Sequence, residues 1–130
     1  KMMADLRSYV LADSTISGLI GTRMHLDRIP QNSQFPNCEY GIVSERVLNT
    51  HGLDASHLNE DIIQIDVYSK KASEALSIKE ALKTRLNSKR VTQGTTNFQY
   101  IEWDSSNSGY ESDVEIFRQI ITITVMWSPT

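Results

Sequence analysis

One cysteine, Cys38, occurs in the 130 residues, so an internal disulfide framework and a four-cysteine zinc site are both excluded. It lies in the apolar run CEYGIV and reads as a small core residue, compatible with a reducing compartment. Basic charge is not in excess: 13 Lys and Arg face 16 Asp and Glu, a formal net charge of -3. That leaves no cationic footprint for sequence-independent binding to nucleic-acid phosphates. No apolar run approaches the ~20 residues that span a bilayer, and no secretory signal is visible at the start. Lys1 ahead of Met2 and Met3 reads as an addition, with one of the methionines as the natural start. The six glycines are scattered singly, so no phosphate-cradling loop exists.

What is present is ordinary for a globular domain: 39% hydrophobic and 22% charged residues, at a length that suits one domain, residues 1–130. The opening MMADLRSYVLAD spaces Met3, Leu6 and Val10 as a helix does. DSTISGLIG follows as a short helical turn, with Ser14 or Thr15 as its cap and Gly21 as its stop. RMHLDRI is a short strand candidate, and PQNSQFPN is a loop bracketed by Pro30 and Pro36. CEYGIVSERVL is a strand that sets Cys38, Tyr40 and Ile42 on one face. DIIQIDVYS alternates, with Ile63, Ile65 and Val67 pointing to a core.

The period then changes. In KKASEALSIKEALKTRLNSK, Ala75, Ile78, Leu82 and Leu86 fall on one stripe, widened by Ala72, Leu76 and Ala81, in a segment of strong helix formers. RVTQGTTN leaves that helix. FQYIEW is a strand with Ile101 and Trp103 on one face and Phe98 and Tyr100 on the other. The polar stretch 104–113 reads as a loop, and EIFRQIITITVMW closes the chain as its best strand. One face of that strand carries Phe117, Ile121, Ile123, Val125 and Trp127. The other mixes Ile, Thr and Met with Arg118, as a surface covered by something outside the protomer would. The expected fold is α+β: a single antiparallel-rich sheet of about five strands with two α-helices on one face, in the order α-β-β-β-α-β-β.

The side-chain clusters yield no visible active site. His51, Asp54 and His57 stand three apart, but Gly52 and the turn-rich surroundings disfavour the helix that would converge them, and three ligands do not close a structural zinc site. Asp54, Ser56 and His57 are too close in sequence to form the hydrogen-bonded chain of a triad, and no nucleophile elbow surrounds Ser56. Asp104, Glu111, Asp113 and Glu115 lack the EF-hand spacing. Phe98, Tyr100 and Trp103 could stack bases but have no basic groove beside them. Solvated loops and strand faces are the simpler readings, and no metal, cofactor or catalytic residue is assigned.

The order of segments carries more. LRSYVLADSTISGLIGTRMHLDRIPQNSQFPNCEYGIVSE, then IIQIDVYSKKASEALSIKEALKTRL, then YIEWDSSNSGYESDVEIFRQIITITVMW together resemble the small tail-completion, or lambda-type tail-terminator, proteins of long-tailed bacteriophages. The resemblance spans nearly the whole chain through short, degenerate motifs, and it brings no catalytic residues. It implies a structural virion protein: a ring, usually a hexamer, that caps the tail tube, stops its polymerisation and joins it to the head. The implied partners are copies of itself, the tube protein and the head connector or neck proteins, with DNA passing unbound through the lumen and no membrane involved. The implied location is the head–tail interface of the virion, after assembly in the host cytoplasm. The candidate interface residues are Tyr110, Glu111, Asp113 and Arg118, together with His51, Asp54 and His57. The polar segment Ser105–Asp113 is expected to act as a contact arm that is mobile in the free subunit. The alternatives are a neck stopper or connector component, or a small ligand-binding or enzymatic α+β domain.

Overall fold

The computed structural model describes residues 1–48 and 58–130. Met2–Leu11 forms helix α1 and Ser14–Ile20 helix α2. Asp13 caps α2, its carboxylate accepting from the Thr15 backbone N–H at 2.8 Å. The cap is therefore Asp13 rather than Ser14 or Thr15, and the acidic side chain also suits the positive end of the helix. Strand β1 (Met24–Leu26), β2 (Asn37–Leu48) and β3 (Leu58–Ser69) come next, then α3 (Ala72–Leu86), β4 (Lys89–Gln93), β5 (Thr96–Glu111) and β6 (Ile116–Pro129).

These strands make one six-stranded sheet in the order β1-β2-β3-β6-β5-β4. Every pairing is antiparallel except β1 with β2, which is parallel. The α+β class and the single sheet agree with the sequence. The detail differs: there are six strands rather than about five, and three helices among the described residues rather than two. The added strand is β4, cut from RVTQ. No residue of β4 is buried, so it carries no core signature and owes its form to pairing with β5.

The core lies between the helices and one face of the sheet. Ala75, Ile78, Leu82 and Leu86 of α3 are fully buried, as are Ile63, Ile65 and Val67 of β3 and Ile121, Ile123 and Val125 of β6. The α3 stripe thus matches the expected one, although Leu76 is half exposed instead of widening it. Met2, Leu6, Tyr9 and Val10 of α1 and Ile16 and Ile20 of α2 complete the cover. Cys38 is buried in this core, and burial pushes its thiol up to about 12, as expected of an inert core cysteine.

Four register shifts adjust the sheet, and two of them fall at one height. The β2 register shifts between Ile42 and Ser44, and the β5 register shifts between Trp103 and Ser105. Both shifts flank the rung that runs Ile42–Ile63–Ile123–Trp103, so the outer strands bend at the same height. A further shift between Phe98 and Tyr100 turns both Phe98 and Ile101 inward, each fully buried. The alternation expected from FQYIEW had placed them on opposite faces.

Candidate assembly surface

Strands β5 and β6 continue together past the core as a hairpin arm. The register runs Ser105↔Thr122, Asn107↔Ile120, Gly109↔Arg118 and Glu111↔Ile116, and the chain reverses in a turn over 112–115. The stretch 105–111 is therefore strand and not loop. Ser, Asn and Gly have little β-propensity of their own, but β6 offers a long β-branched template, and cross-strand context outweighs propensity. Gln119 donates to the Ser108 hydroxyl at 3.0 Å, and Thr124 donates to the Asp104 carboxylate. At the tip the Tyr110 and Phe117 rings lie 4.7 Å apart and tilted by 42°, a favourable aromatic geometry. Tyr110 is nonetheless 52% exposed, and Glu111 and Asp113 are exposed beside it.

Arg118 stands one rung from Tyr110, on the helix-free face. Its guanidinium donates to Asp66 at 2.9 Å and lies 5.5 Å over the Tyr68 ring. Asp66 also accepts from Gln64 at 3.1 and 3.2 Å and from the Tyr68 hydroxyl at 3.5 Å. Burial works against the Arg118 charge, but the Asp66 hydrogen bond and charge outweigh it and raise its pKa. Burial, then the Asp66 charge, push the Tyr68 phenol up to about 12. The result is a buried acid satisfied by three neighbours, with the Arg118 charge held inside the chain. Of the residues singled out in the sequence, the structure gathers Tyr110, Glu111 and Asp113 at the tip and Arg118 just below it. His51, Asp54 and His57 lie outside the described residues.

The sheet edges form a surface that the sequence did not reveal. On one side β1 pairs with β2 only over Cys38–Tyr40, so β2 from Gly41 to Leu48 has no outer strand among the described residues. On the other side β4 pairs with β5 only as far as Ile101. The Asn87 side chain then accepts from the Trp103 backbone N–H at 3.3 Å, and beyond it β5 has no outer strand from Asp104 to Glu111 among the described residues. Seven large apolar side chains are exposed among the described residues: Leu26, Ile42, Val43, Val47, Leu76, Tyr110 and Val114. All but Leu76 lie along these two edges or at their ends. Natural edge strands are usually guarded by lysine or proline. GIVSERVL and DSSNSGYE contain neither, and only the charges Glu45, Arg46, Asp104 and Glu111 and one bulge on each strand interrupt these edges.

The fold matches that of a solved chain described as "Virion of native gene transfer agent (GTA) particle", with a TM-score of 0.73 over 98% of this chain and 94% of that one, at 12% identity. A second solved chain, at 11% identity, covers 99% of this chain and 90% of its own with a TM-score of 0.46, too low to carry an argument. A search of curated proteins gives no match. The family model for tail completion protein gp17 matches residues 4–128, nearly the whole of the folded unit. The chain therefore belongs to the tail completion protein gp17 family and is a structural, non-enzymatic protein of phage tails.

Proposed function

We propose that this protein caps the phage tail tube as a ring, most simply a hexamer, ends tube polymerisation and joins the tail to the head. Its partners are further copies of itself, the tube protein below and the head connector or neck proteins above. It acts at the head–tail interface of the virion after assembly in the host cytoplasm. The observation that carries the reading is the placement of exposed apolar residues and unpaired strand at both lateral edges of one sheet, in a chain of the tail-completion family. A subunit with one neighbour on each side needs such edges, and heterologous contacts of this kind make a ring when the rotation between copies closes. The net charge of -3 suits a conduit that should not retain DNA. The exposed acids of the tip, Glu111 and Asp113, are assigned to contacts with the tube or connector.

The experiment is solution mass measurement with negative-stain imaging of the purified protein, alone and with purified tail tubes. Rings in solution or at tube ends support the reading. A strict monomer at high concentration that also fails to bind tubes overturns it.

A further inference from the structure

The two bare edges are complementary to each other. Across the four central strands β2, β3, β6 and β5, neighbours alternate in direction. A second copy in the same orientation therefore presents its β2 antiparallel to the first copy's β5. The bare segments sit at opposite ends of the sheet. Ser44, in the middle of the bare part of β2, is level with Ile62 of β3. Asn107, in the middle of the bare part of β5, is level with Ile120 and, through it, with Asp66 of β3. Ile62 and Asp66 are four residues apart, so edge-to-edge contact requires that slip between copies.

The geometry points to a direct β-pairing of the bare β2 edge of one copy with the bare β5 edge of the next, Ser44 opposite Asn107, which makes one continuous sheet around the ring. This rests on the ring proposed above and gives its closing contact. A slip of four residues is even, so helix-covered and helix-free faces stay in phase across the joint, where an odd slip would invert them. Four residues over four strands is one residue of shear per strand. In closed parallel barrels that ratio accompanies a strand tilt of about 36°, within the ~35–45° that closed barrels adopt. The stagger of the edges thus has the size found in closed barrels.

The side chains agree. In this register Arg46, the one cation of the bare β2 segment, stands opposite Ser105 and next to Asp104, whose side chain is on the same helix-free face, where it meets Thr124. The paired strip ends where β1 begins. There the exposed Leu26 meets the Tyr110 and Val114 of the neighbour's tip, so the apolar residues at both ends of the strip are covered together. Among the described residues neither β1 nor β4 blocks the approach, because each covers only the part of its edge that the neighbour's strand does not reach.

The test is a disulfide cross-link between copies. The double variant Ser44→Cys with Asn107→Cys, oxidised and run in denaturant without reductant, should give a ladder of linked chains up to the ring size. Either single variant should give dimers at most. Ser44→Cys with Glu102→Cys, five residues out of register, should give no ladder. Both positions of the main pair are exposed, and thermal melts check that every variant folds. If the unmodified protein forms rings but the Ser44–Asn107 variant gives no ladder, the edge pairing is wrong and the ring stands. If no ring forms alone or on tail tubes, the ring reading and the edge pairing fall together.

Discussion

Tyr9 and Arg85 cap each other's helices. The Tyr9 hydroxyl donates to the Arg85 carbonyl at 3.0 Å, and the Arg85 guanidinium donates to the Tyr9 carbonyl at 3.0 and 2.8 Å while lying 3.8 Å over the Tyr9 ring. Both carbonyls belong to the last turns of α1 and α3, where no intrahelical donor remains for them, and the cation suits the negative end of α1. Arg85→Ala should cost about 1.5–3 kcal/mol in urea unfolding, the range for hydrogen bonds to a charged group. Arg85→Lys should recover only part of that, because an ammonium lacks the planar fork. Full recovery by lysine would mean that charge alone matters there.

Leu82 is fully buried in α3 against the sheet. Leu82→Ala should destabilise by about 2–5 kcal/mol through lost burial and the cavity left behind. Loss of less than about half a kcal/mol would be surface behaviour and would contradict the packing of α3 on Ile63, Ile65 and Val67.

Gly94 turns β4 into β5 with φ at +58°, and a Cβ there would run into the Asp5 carboxylate. Asp5 holds this turn, accepting from the Thr96 hydroxyl at 2.6 Å and from the Thr95 backbone N–H at 3.2 Å. Gly94→Ala should cost about 1–3 kcal/mol from the left-handed backbone, with the displaced carboxylate adding to it. The Thr96 hydrogen bond leads the causes that lower the Asp5 pKa. A lowered carboxyl gives stability that is present above its unfolded pKa and lost as pH falls through its folded pKa. Asp5→Asn should therefore lower the melting temperature at neutral pH and flatten its decline in acid.

Asp61 works with the opposite sign. Burial raises its pKa, against the opposing Trp127 indole N–H, which donates to it at 3.1 Å. A raised carboxyl favours the fold below its unfolded pKa and loses that contribution as pH rises through its folded pKa. Asp61→Asn keeps an acceptor for Trp127 and removes the charge. It should raise the melting temperature at neutral pH, with the gain shrinking toward acid; a loss at neutral pH would show that the charge itself is needed.

Tyr110 and Val114 are about half exposed at the arm tip. Tyr110→Ser with Val114→Ser should change stability by no more than about 1 kcal/mol in total, as surface substitutions do, while reducing tail-to-head joining. Particle counts by electron microscopy, beside a thermal melt of the purified variant, separate the two effects. Normal joining would make the tip a passive connection.

The sequence was most readable where one face of an element repeats. Ala75, Ile78, Leu82 and Leu86 announce α3, and Ile63, Ile65 and Val67 announce β3, because burial of one face forces a period. It was opaque where a strand is made by its partner. Residues 105–111 read as loop because Ser, Asn and Gly dominate them, yet the template of β6 extends them. Phe98 and Ile101 share a face only because a bulge between them absorbs a residue, and no local composition marks it. The tip residues could be picked out by their polar and acidic setting, whereas the bare edge Gly41–Leu48 could not, since a missing neighbour is a property of the whole sheet.

The strand order divides the sheet by chain distance. Strands β1, β2 and β3 come before α3, β6, β5 and β4 come after it, and only β3 with β6 joins the two sets, from Asn59↔Trp127 to Ser69↔Phe117. Within each set β2–β3, β4–β5 and β5–β6 can zip locally as hairpins within microseconds, but the seam must close a loop that contains α3, β4 and β5, and its entropy is spent before any contact repays it. The seam is therefore expected to set the rate of folding. Ile65→Val and Ile121→Val, which face each other there, should slow refolding, while a truncation within a single hairpin chiefly speeds unfolding. The long middle helix lies across that seam: its buried stripe touches β3 and β6 alike, so it is placed to guide the two halves together as well as to cover them.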